Sequence, residues 1–228
     1  MKKLLQISIA MAAILGATSL VQAQVQAATS AAAAGSASVQ SKVAMCIGCH
    51  GIAGYQSSFP EIHKVPMIAG QNAKYIGAAL TAYAKGERKH PTMRGIAQTL
   101  SDQDIADISS YYEKQAAQAG ATAVAETVAQ PSAQVAELLT KGACASCHGA
   151  NYSKPIDGSY PKLAGQHPDY LYAALKSYQT EGNPVVGRGN AIMAGQVKQF
   201  SHTELQAMAK YLASLPSELR TVPQSKFR

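Results

Sequence analysis

Two short segments of the chain carry cysteine and histidine at a spacing that suits covalent attachment of a porphyrin. Each is a C-x-x-C-H motif, and the residues involved are Cys46, Cys49 and His50, and then Cys144, Cys147 and His148. In this signature the two thiols add across the two vinyl groups of a c-type haem, and the histidine binds the iron. The chain has four cysteines, and the two motifs use all of them. The motifs therefore predict two covalently bound haem c groups, each with its iron.

Three other uses of paired cysteines fit the sequence less well. A thioredoxin-like redox pair belongs to a βαβ pattern, which this sequence does not show. A zinc site made of two C-x-x-C pairs usually has about 15 to 20 residues between them, far fewer than separate these two. A structural disulfide suits an exported protein but leaves His50 and His148 unexplained.

A duplication places the two motifs in equivalent positions. The segment C-I-G-C-H-G at Cys46 matches C-A-S-C-H-G at Cys144, and P-M-I-A-G-Q at Pro66 matches P-K-L-A-G-Q at Pro161. Further matched pairs are Tyr75 with Tyr170, Tyr83 with Tyr178, and Met93 with Met193. The offset changes slightly along the chain, which indicates loops of different length between equivalent elements. The simplest interpretation is a duplicated domain.

Each iron needs a second axial ligand, and the duplication selects one. The first copy offers five candidates, which are Met45, Met67, Met93, His63 and His90. Among them only Met93 aligns with another good ligand, which is Met193. We expect both methionines on the irregular loop before the last helix of each copy, and the other methionines as core residues. The remaining histidines, His63 and His90 among them, are expected at the surface or in loops.

Two more matched pairs, one of prolines and one of arginines, each allow two interpretations: a role at the haem or a simpler structural role. A haem-ligating histidine usually donates its other ring nitrogen to a backbone carbonyl, which Pro66 and Pro161 are placed to supply. Both prolines also suit simple turns. Arg88 and Arg188 each stand five residues before the methionine, where a guanidinium can pair with haem propionates. The alternative for each is a solvated arginine.

The elements that position these residues are predicted to be helical. Apolar residues at helical spacing predict a helix over 71–85 that ends at Gly86. Capping signals at Ser101 and Ser201 open the last helix of each copy. A helix from about Gln134 leads into the second motif, and a shorter one leads into the first. No stretch alternates as a strand should, so the fold class is all-α.

The domain organisation follows from the repeat and from composition. We predict two tandem cytochrome domains at 39–115 and 132–228, each wrapped around one haem. The linker at 116–131 is rich in Ala, Gln and Thr. Each domain is small enough to need stabilisation beyond its own hydrophobic core. The chain also contains no Trp to fill such a core, and a buried haem would supply both the stabilisation and the volume.

The first residues resemble an export signal. Lys2 and Lys3 precede an apolar run too short to span a bilayer, and small residues stand at a cleavage site before Gln24. We predict a signal peptide at 1–23 and a flexible leader at 24–38. A retained membrane anchor is the alternative.

Composition limits the classes of partner. The formal net charge of +7 falls to near +5 without the signal, and the positive charges are not clustered. Nucleic-acid binding would need basic clusters interleaved with aromatic residues, so we expect no nucleic acid. The charge suits docking on an acidic protein surface.

On these motifs the chain resembles the dihaem cytochrome c4 family over nearly all of its length after the signal. The resemblance implies a periplasmic protein with two class I cytochrome domains packed about a pseudo-twofold axis. It implies His50 and Met93 as axial ligands in one domain, and His148 and Met193 in the other. The segment at 55–65 departs from the family's usual sequence after the first haem motif.

The resemblance also implies an electron carrier, not an enzyme. We expect redox proteins as partners, with a donor on the quinol–cytochrome c reductase side and an acceptor on the terminal oxidase or reductase side of a respiratory chain. At most peripheral membrane association and a monomeric state are expected. Two alternatives remain: an electron-accepting subunit of a larger dehydrogenase, and a dihaem peroxidase, which would need a haem with a displaceable ligand.

Overall fold

The computed structural model describes residues 38–118 and 130–223 of the chain. The predicted signal peptide at 1–23 and the predicted leader, apart from Ser38, lie outside the described residues. So do residues 119–129, which form most of the predicted linker.

The chain divides into two units. The unit of residues 1–42 is described only from Ser38, where the first helix is about to begin. The compact unit of residues 43–228 contains both haem motifs and both P-x-[IL]-A-G-Q segments. The two copies of the duplication therefore pack together within one unit.

The first copy is built from helices, as predicted. Those described are α1 (Val39–His50), α2 (Ala73–Lys85), α3 (Pro91–Ala97) and α4 (Asp102–Gln118). Helix α2 ends as predicted at Gly86, whose φ of 78° is the left-handed conformation that glycine tolerates best. The predicted cap of α4 forms, because the Asp104 carboxylate accepts from the Ser101 N–H at 3.0 Å and the Ser101 hydroxyl accepts from the Asp104 N–H at 3.2 Å. Helix α4 runs to Gln118, so the predicted linker begins inside it.

The second copy has the same order of helices with one break. Its described helices are α5 (Ala133–Lys141), α6 (Ala145–His148), α7 (Pro168–Ser177), α8 (Ala191–Val197) and α9 (His202–Ser214). The helix predicted from about Gln134 forms as α5, but it ends at Lys141, short of Cys144. Ala143, with a positive φ of 46°, separates it from α6. The predicted capping box at Ser201 and Glu204 opens α9.

Each copy has a core in which its last helix packs against the helix that follows the haem-motif loop. Helices α2 and α4 meet through buried side chains that include Ile76, Leu80 and Ile108. Helices α7 and α9 do the same, with Leu171 and Leu205 in the buried cluster. The apolar periodicity of these helices accounts for both contacts.

The described residues also form four two-residue strands that the sequence did not predict. Strands β1 (Gln56–Ser57) and β2 (His63–Lys64) form a small hairpin after the first haem motif. Strands β3 (Arg88–Lys89) and β4 (Gly187–Arg188) pair antiparallel across the two copies, with Arg88 opposite Arg188. Too short to give a period-two signal, they lie outside what alternation in the sequence can detect.

The two P-x-[IL]-A-G-Q segments lie tightly against the last helix of their own copy. The Gly70 N–H donates to the Tyr112 carbonyl at 2.8 Å, and the Gly165 N–H donates to the Leu212 carbonyl at 2.9 Å. Both glycines have positive φ, and a Cβ at Gly165 would lie 2.3 Å from the Cβ of Ser217. Glycine is therefore required at this position by backbone conformation and by space.

Candidate haem sites

The first haem motif occupies the last turns of α1. Cys46 and Cys49 are three residues apart on this helix, so their side chains emerge on one face, and His50 is the last helical residue. Both cysteines are unpaired thiols, and burial raises the pKa of the Cys46 thiol. Two thiols and one imidazole thus share one side of a helix end, as haem attachment requires.

The second motif has the same arrangement on a shorter helix. Cys144 directly precedes α6, which contains Cys147 and ends at His148. Both cysteines are again unpaired, and burial raises the pKa of Cys144. The turn before α6 packs closely, because a Cβ at Gly142 would lie 3.2 Å from the ring of Phe200.

Both motif histidines hydrogen-bond to the carbonyls of the matched prolines, which is one of the two roles that the sequence left open for Pro66 and Pro161. The nitrogen Nδ1 of His50 lies 2.8 Å from the Pro66 carbonyl, and that of His148 lies 3.0 Å from the Pro161 carbonyl. A carbonyl only accepts, so Nδ1 carries the proton and Nε2 is left with a free lone pair. Burial lowers the pKa of both histidines, which favours the neutral form that binds a metal.

Met93 and Met193 occupy matched positions, but the irregular loop predicted for them is wrong. They lie in the first turn of the short helices α3 and α8, and both are partly buried. The residue three positions earlier caps each helix. The His90 Nδ1 accepts from the Met93 N–H at 3.4 Å, and the Asn190 Oδ1 accepts from the Met193 N–H at 3.0 Å. The cap fixes the backbone of the methionine itself.

Arg88 and Arg188 face each other across the β3–β4 pair and are surrounded by tyrosines. Arg88 donates to the Tyr75 hydroxyl at 3.2 Å, and Arg188 donates to the Tyr170 hydroxyl at 3.1 Å. Burial raises the pKa of Tyr170 to about 12, so this phenol stays neutral. Among the ion pairs of the described residues, neither guanidinium meets a carboxylate.

This partly buried pair of like charges tests whether the site fits a haem. Two positive charges placed opposite each other repel, and a buried charge is costly without a counter-charge. The tyrosine rings offer cation–π contacts at 5.1 Å for Arg88 on Tyr75 and 5.5 Å for Arg188 on Tyr170, but no negative charge. Each haem carries two propionates, so the donor set of this chain fits the group.

Two sets of contacts at these sites were missed by the sequence prediction. The tyrosines were recognised as matched pairs but were given no role. The final Gln of each P-x-[IL]-A-G-Q segment, Gln71 and Gln166, contacts the backbone of the other copy. The signal available in the sequence is the repetition of the Gln at the same position of both segments. Its burial in the structure is unusual, since glutamine is usually exposed.

The histidine prediction failed at one position. His63 is not at the surface but only 5 % exposed, and its Nδ1 hydrogen-bonds to the Glu61 carbonyl at 2.8 Å. In the described part of the chain no three His, Cys, Asp or Glu side chains cluster as a metal site would require.

Within residues 38–118 and 130–223, no helix combines the length and the apolar character that a bilayer span requires.

Comparisons with known proteins agree with the duplication. The cytochrome c family model matches the chain twice, at residues 32–115 and 132–216. Cytochrome c4 of Stutzerimonas stutzeri is 32 % identical over 194 residues, which cover 77 % of this chain and 87 % of the relative. A relative named thiosulfate dehydrogenase electron acceptor, from Thiomonas intermedia, is 28 % identical over 82 % of this chain and 85 % of its own length.

A solved structure is similar to this chain over most of its length. The cytochrome c4 of Acidithiobacillus ferrooxidans superposes with a TM-score of 0.56 and 25 % identity, covering 77 % of this chain and 99 % of its own. The predicted all-α fold of two tandem cytochrome c domains is thereby confirmed, and so are two covalent haem c groups and a role in electron transfer instead of enzymatic catalysis. The chain belongs to the dihaem cytochrome c4 family.

Proposed function

We propose that this protein is a periplasmic, monomeric electron carrier of a respiratory chain. It accepts electrons on the quinol–cytochrome c reductase side and delivers them to a terminal oxidase or reductase. The observation that carries the proposal is that the two motif histidines make equivalent hydrogen bonds. Their Nδ1 atoms lie 2.8 Å and 3.0 Å from the matched proline carbonyls. Two equivalent sites in one chain suit a relay with two redox centres.

The proposed anchors of each haem are the motif residues. Cys46 and Cys49 form the thioethers in the first copy, and Cys144 and Cys147 form those in the second. His50 and His148 bind the irons through Nε2, since Nδ1 is already used. When bound, each haem supplies a one-electron couple of its iron.

Met93 and Met193 are proposed to fill the opposite axial positions. Both methionines follow a capped helix start, so the backbone that carries each thioether is held in place before a haem binds. A thioether raises the reduction potential relative to harder ligands, which suits the oxidising end of a chain. If His and Met both bind each iron, oxygen or peroxide would find no open site there.

Arg88 and Arg188 are proposed to pair with haem propionates. The argument is their partial burial, their position opposite each other, and tyrosine as their polar side-chain partner. Guanidinium groups bind carboxylates through two parallel hydrogen bonds, which neutralises both charges. Such pairing would hold a propionate of each haem near the β3–β4 pair, where the two copies meet.

An electron-accepting subunit of a dehydrogenase is the second candidate. It is favoured by the similarity to a thiosulfate dehydrogenase electron acceptor over 82 % of this chain. The native protein, isolated from periplasm at low salt, separates the two. A carrier elutes alone at the mass of one mature chain, with its N-terminus at Gln24 or a few residues later, and it reduces an oxidase preparation in a salt-dependent way. Stable co-elution with a dehydrogenase at low salt establishes the subunit instead.

A further inference from the structure

Two buried glutamines connect the copies in a reciprocal way. Gln71 and Gln166 end the two P-x-[IL]-A-G-Q segments, and each side chain is 4 % exposed. Burial of an uncharged amide is costly unless its polar atoms are hydrogen-bonded. Here each amide is satisfied mainly by the backbone of one residue in the other copy.

The contacts of the two glutamines are equivalent. The Gln166 Oε1 accepts from the Met67 N–H at 3.0 Å, and its Nε2 donates to the Met67 carbonyl at 2.8 Å. The Gln71 Oε1 accepts from the Lys162 N–H at 2.9 Å, and its Nε2 donates to the Lys162 carbonyl at 3.0 Å. Met67 and Lys162 hold matched positions of the repeat, so the glutamine clamp, as we call Gln71 and Gln166, has twofold character.

The clamped peptide groups are the ones that hold the haem-motif histidines. The Met67 N–H and the Pro66 carbonyl belong to one planar peptide unit, and that carbonyl accepts from His50 at 2.8 Å. In the second copy, the Lys162 N–H shares a peptide unit with the Pro161 carbonyl, which accepts from His148. A hydrogen bond to the N–H of a peptide unit polarises its carbonyl and strengthens the bond that the carbonyl accepts.

We propose that each glutamine sets the orientation and basicity of the axial histidine in the other copy. A continuous chain of hydrogen bonds runs from Gln166 through the Pro66–Met67 peptide to His50, and the matched chain runs from Gln71 to His148. The inference rests on the proposed ligation of the irons by these histidines. A stronger bond at Nδ1 makes the imidazole a better donor to ferric iron and lowers the potential. Each haem potential therefore depends on a residue of the other domain.

The test is the crossed effect of two matched variants. Gln166→Leu and Gln71→Leu keep the approximate size of the side chain. Each removes both hydrogen bonds to the other copy, together with the bond that Oε1 accepts from the N–H of the next residue. The potentials of the two haems are measured separately by following their methyl resonances in NMR through stepwise reduction, with assignment from Met93→Ala. Gln166→Leu raises the potential of the first haem and leaves the second unchanged, and Gln71→Leu does the reverse. Equal shifts of both haems, a shift of the haem in the same copy, or no shift overturns the proposal.

A second readout is solvent exchange of the histidine Nδ1 protons. Gln166→Leu speeds exchange at His50 roughly threefold to tenfold, the factor expected for a weakened hydrogen bond, and leaves His148 unchanged. Gln166→Glu still accepts from the Met67 N–H through a carboxylate oxygen, so exchange at His50 stays slow. Fast exchange in Gln166→Glu would mean that packing, not the relay, protects the proton.

Asn72→Ala is the matched control at the same interface. Its Nδ2 donates to the Tyr160 carbonyl of the other copy at 3.1 Å, and that carbonyl accepts from no histidine. Neither potential and neither exchange rate changes in this variant; changes as large as those of the glutamine variants contradict the relay. Failure of the proposed function appears in the native protein, as a missing haem or missing histidine ligation, whereas failure of the clamp appears only in the variants.

Discussion

The helix that carries the haem motif is continuous in the first copy and broken in the second. Helix α1 runs without interruption to His50, whereas Ala143 separates α5 from the four-residue α6. Even so, the histidine at the end of each motif hydrogen-bonds to the carbonyl of the matched proline in its own copy, at nearly the same distance. The helix that carries the motif therefore differs in length and continuity between the copies, while the hydrogen bond of its histidine is the same in both.

Two side chains near the haem sites differ between the copies. The helix of the methionine is capped by His90 at 3.4 Å in the first copy and by Asn190 at 3.0 Å in the second. Tyr112, whose buried hydroxyl lies against the Cys46 thiol, aligns with Leu212. Burial raises the pKa of Tyr112. We therefore expect two haems with the same ligands but different potentials.

The largest expected effect is the loss of one axial thioether. Met93→Ala should lower the potential of the first haem by ~0.1–0.2 V, a part of the ~0.8 V that axial ligands span. Met193→Ala should do the same to the second haem only. Potentiometric titration checks both, and each variant should bind carbon monoxide at one haem when reduced. Met67→Leu is the control, and a drop in potential there would show that the alignment selected the wrong methionine.

The next effect compares the glycines of the two P-x-[IL]-A-G-Q segments. Gly165→Ala should destabilise the protein by about 2–4 kcal/mol, since a positive φ is combined with a Cβ only 2.3 Å from Ser217. Gly70→Ala should cost about 1–3 kcal/mol, because its closest contact would be 2.8 Å. Urea unfolding measures both. In Gly95→Ala, where a helical Cβ meets nothing within 4 Å, stability should rise slightly; a loss equal to that of Gly165→Ala would refute the steric account.

A smaller effect distinguishes the two helix caps. Asn190→Ala should lower the unfolding free energy by about 1 kcal/mol, and His90→Ala by less, because its bond to the Met93 N–H is longer. His90→Asn gives the first copy the cap of the second and should raise stability by a few tenths of a kcal/mol, roughly. Thermal unfolding of the haem-loaded protein measures all three. If His90→Ala lowers the unfolding free energy more than Asn190→Ala does, the length of the cap hydrogen bond does not determine the difference in cap strength between the copies.

The smallest expected effect concerns pH. His167 aligns with Asn72, and burial lowers the pKa of His167 below its usual 6.5. As the pH falls below about 6.5, the unfolded chain takes up this proton before the folded one does, so stability falls. His167→Asn should therefore lose less stability than the native protein between about pH 7.5 and about pH 5 in urea unfolding. The other histidines are common to both proteins. If the two lose the same unfolding free energy over this pH range, His167 does not contribute to the pH dependence.

The sequence predicted the long elements and the haem anchors because their signals are local or repeated. Helix α2 was placed by its apolar period and by Gly86, and the motif residues by spacing. Helices α3 and α8 were taken for loops because seven residues are too few to show a period. The contacts of Gln71 and Gln166 were missed since they join the two copies, and no local pattern records which backbone a side chain meets. The signal peptide, the leader and residues 119–129 stay predictions, since they lie outside the described residues.

The central claim is that one chain holds two haems, each bound by histidine and methionine. Thioether ligation of ferric haem gives a weak near-infrared charge-transfer band, so the intensity of this band per chain tests the claim most directly. We predict that the native oxidised protein, with its haem content determined on the same sample, shows two haems and the band intensity of two thioether-ligated centres. The intensity of a single centre with two haems present would contradict the account, because one iron would then have a different or open axial position.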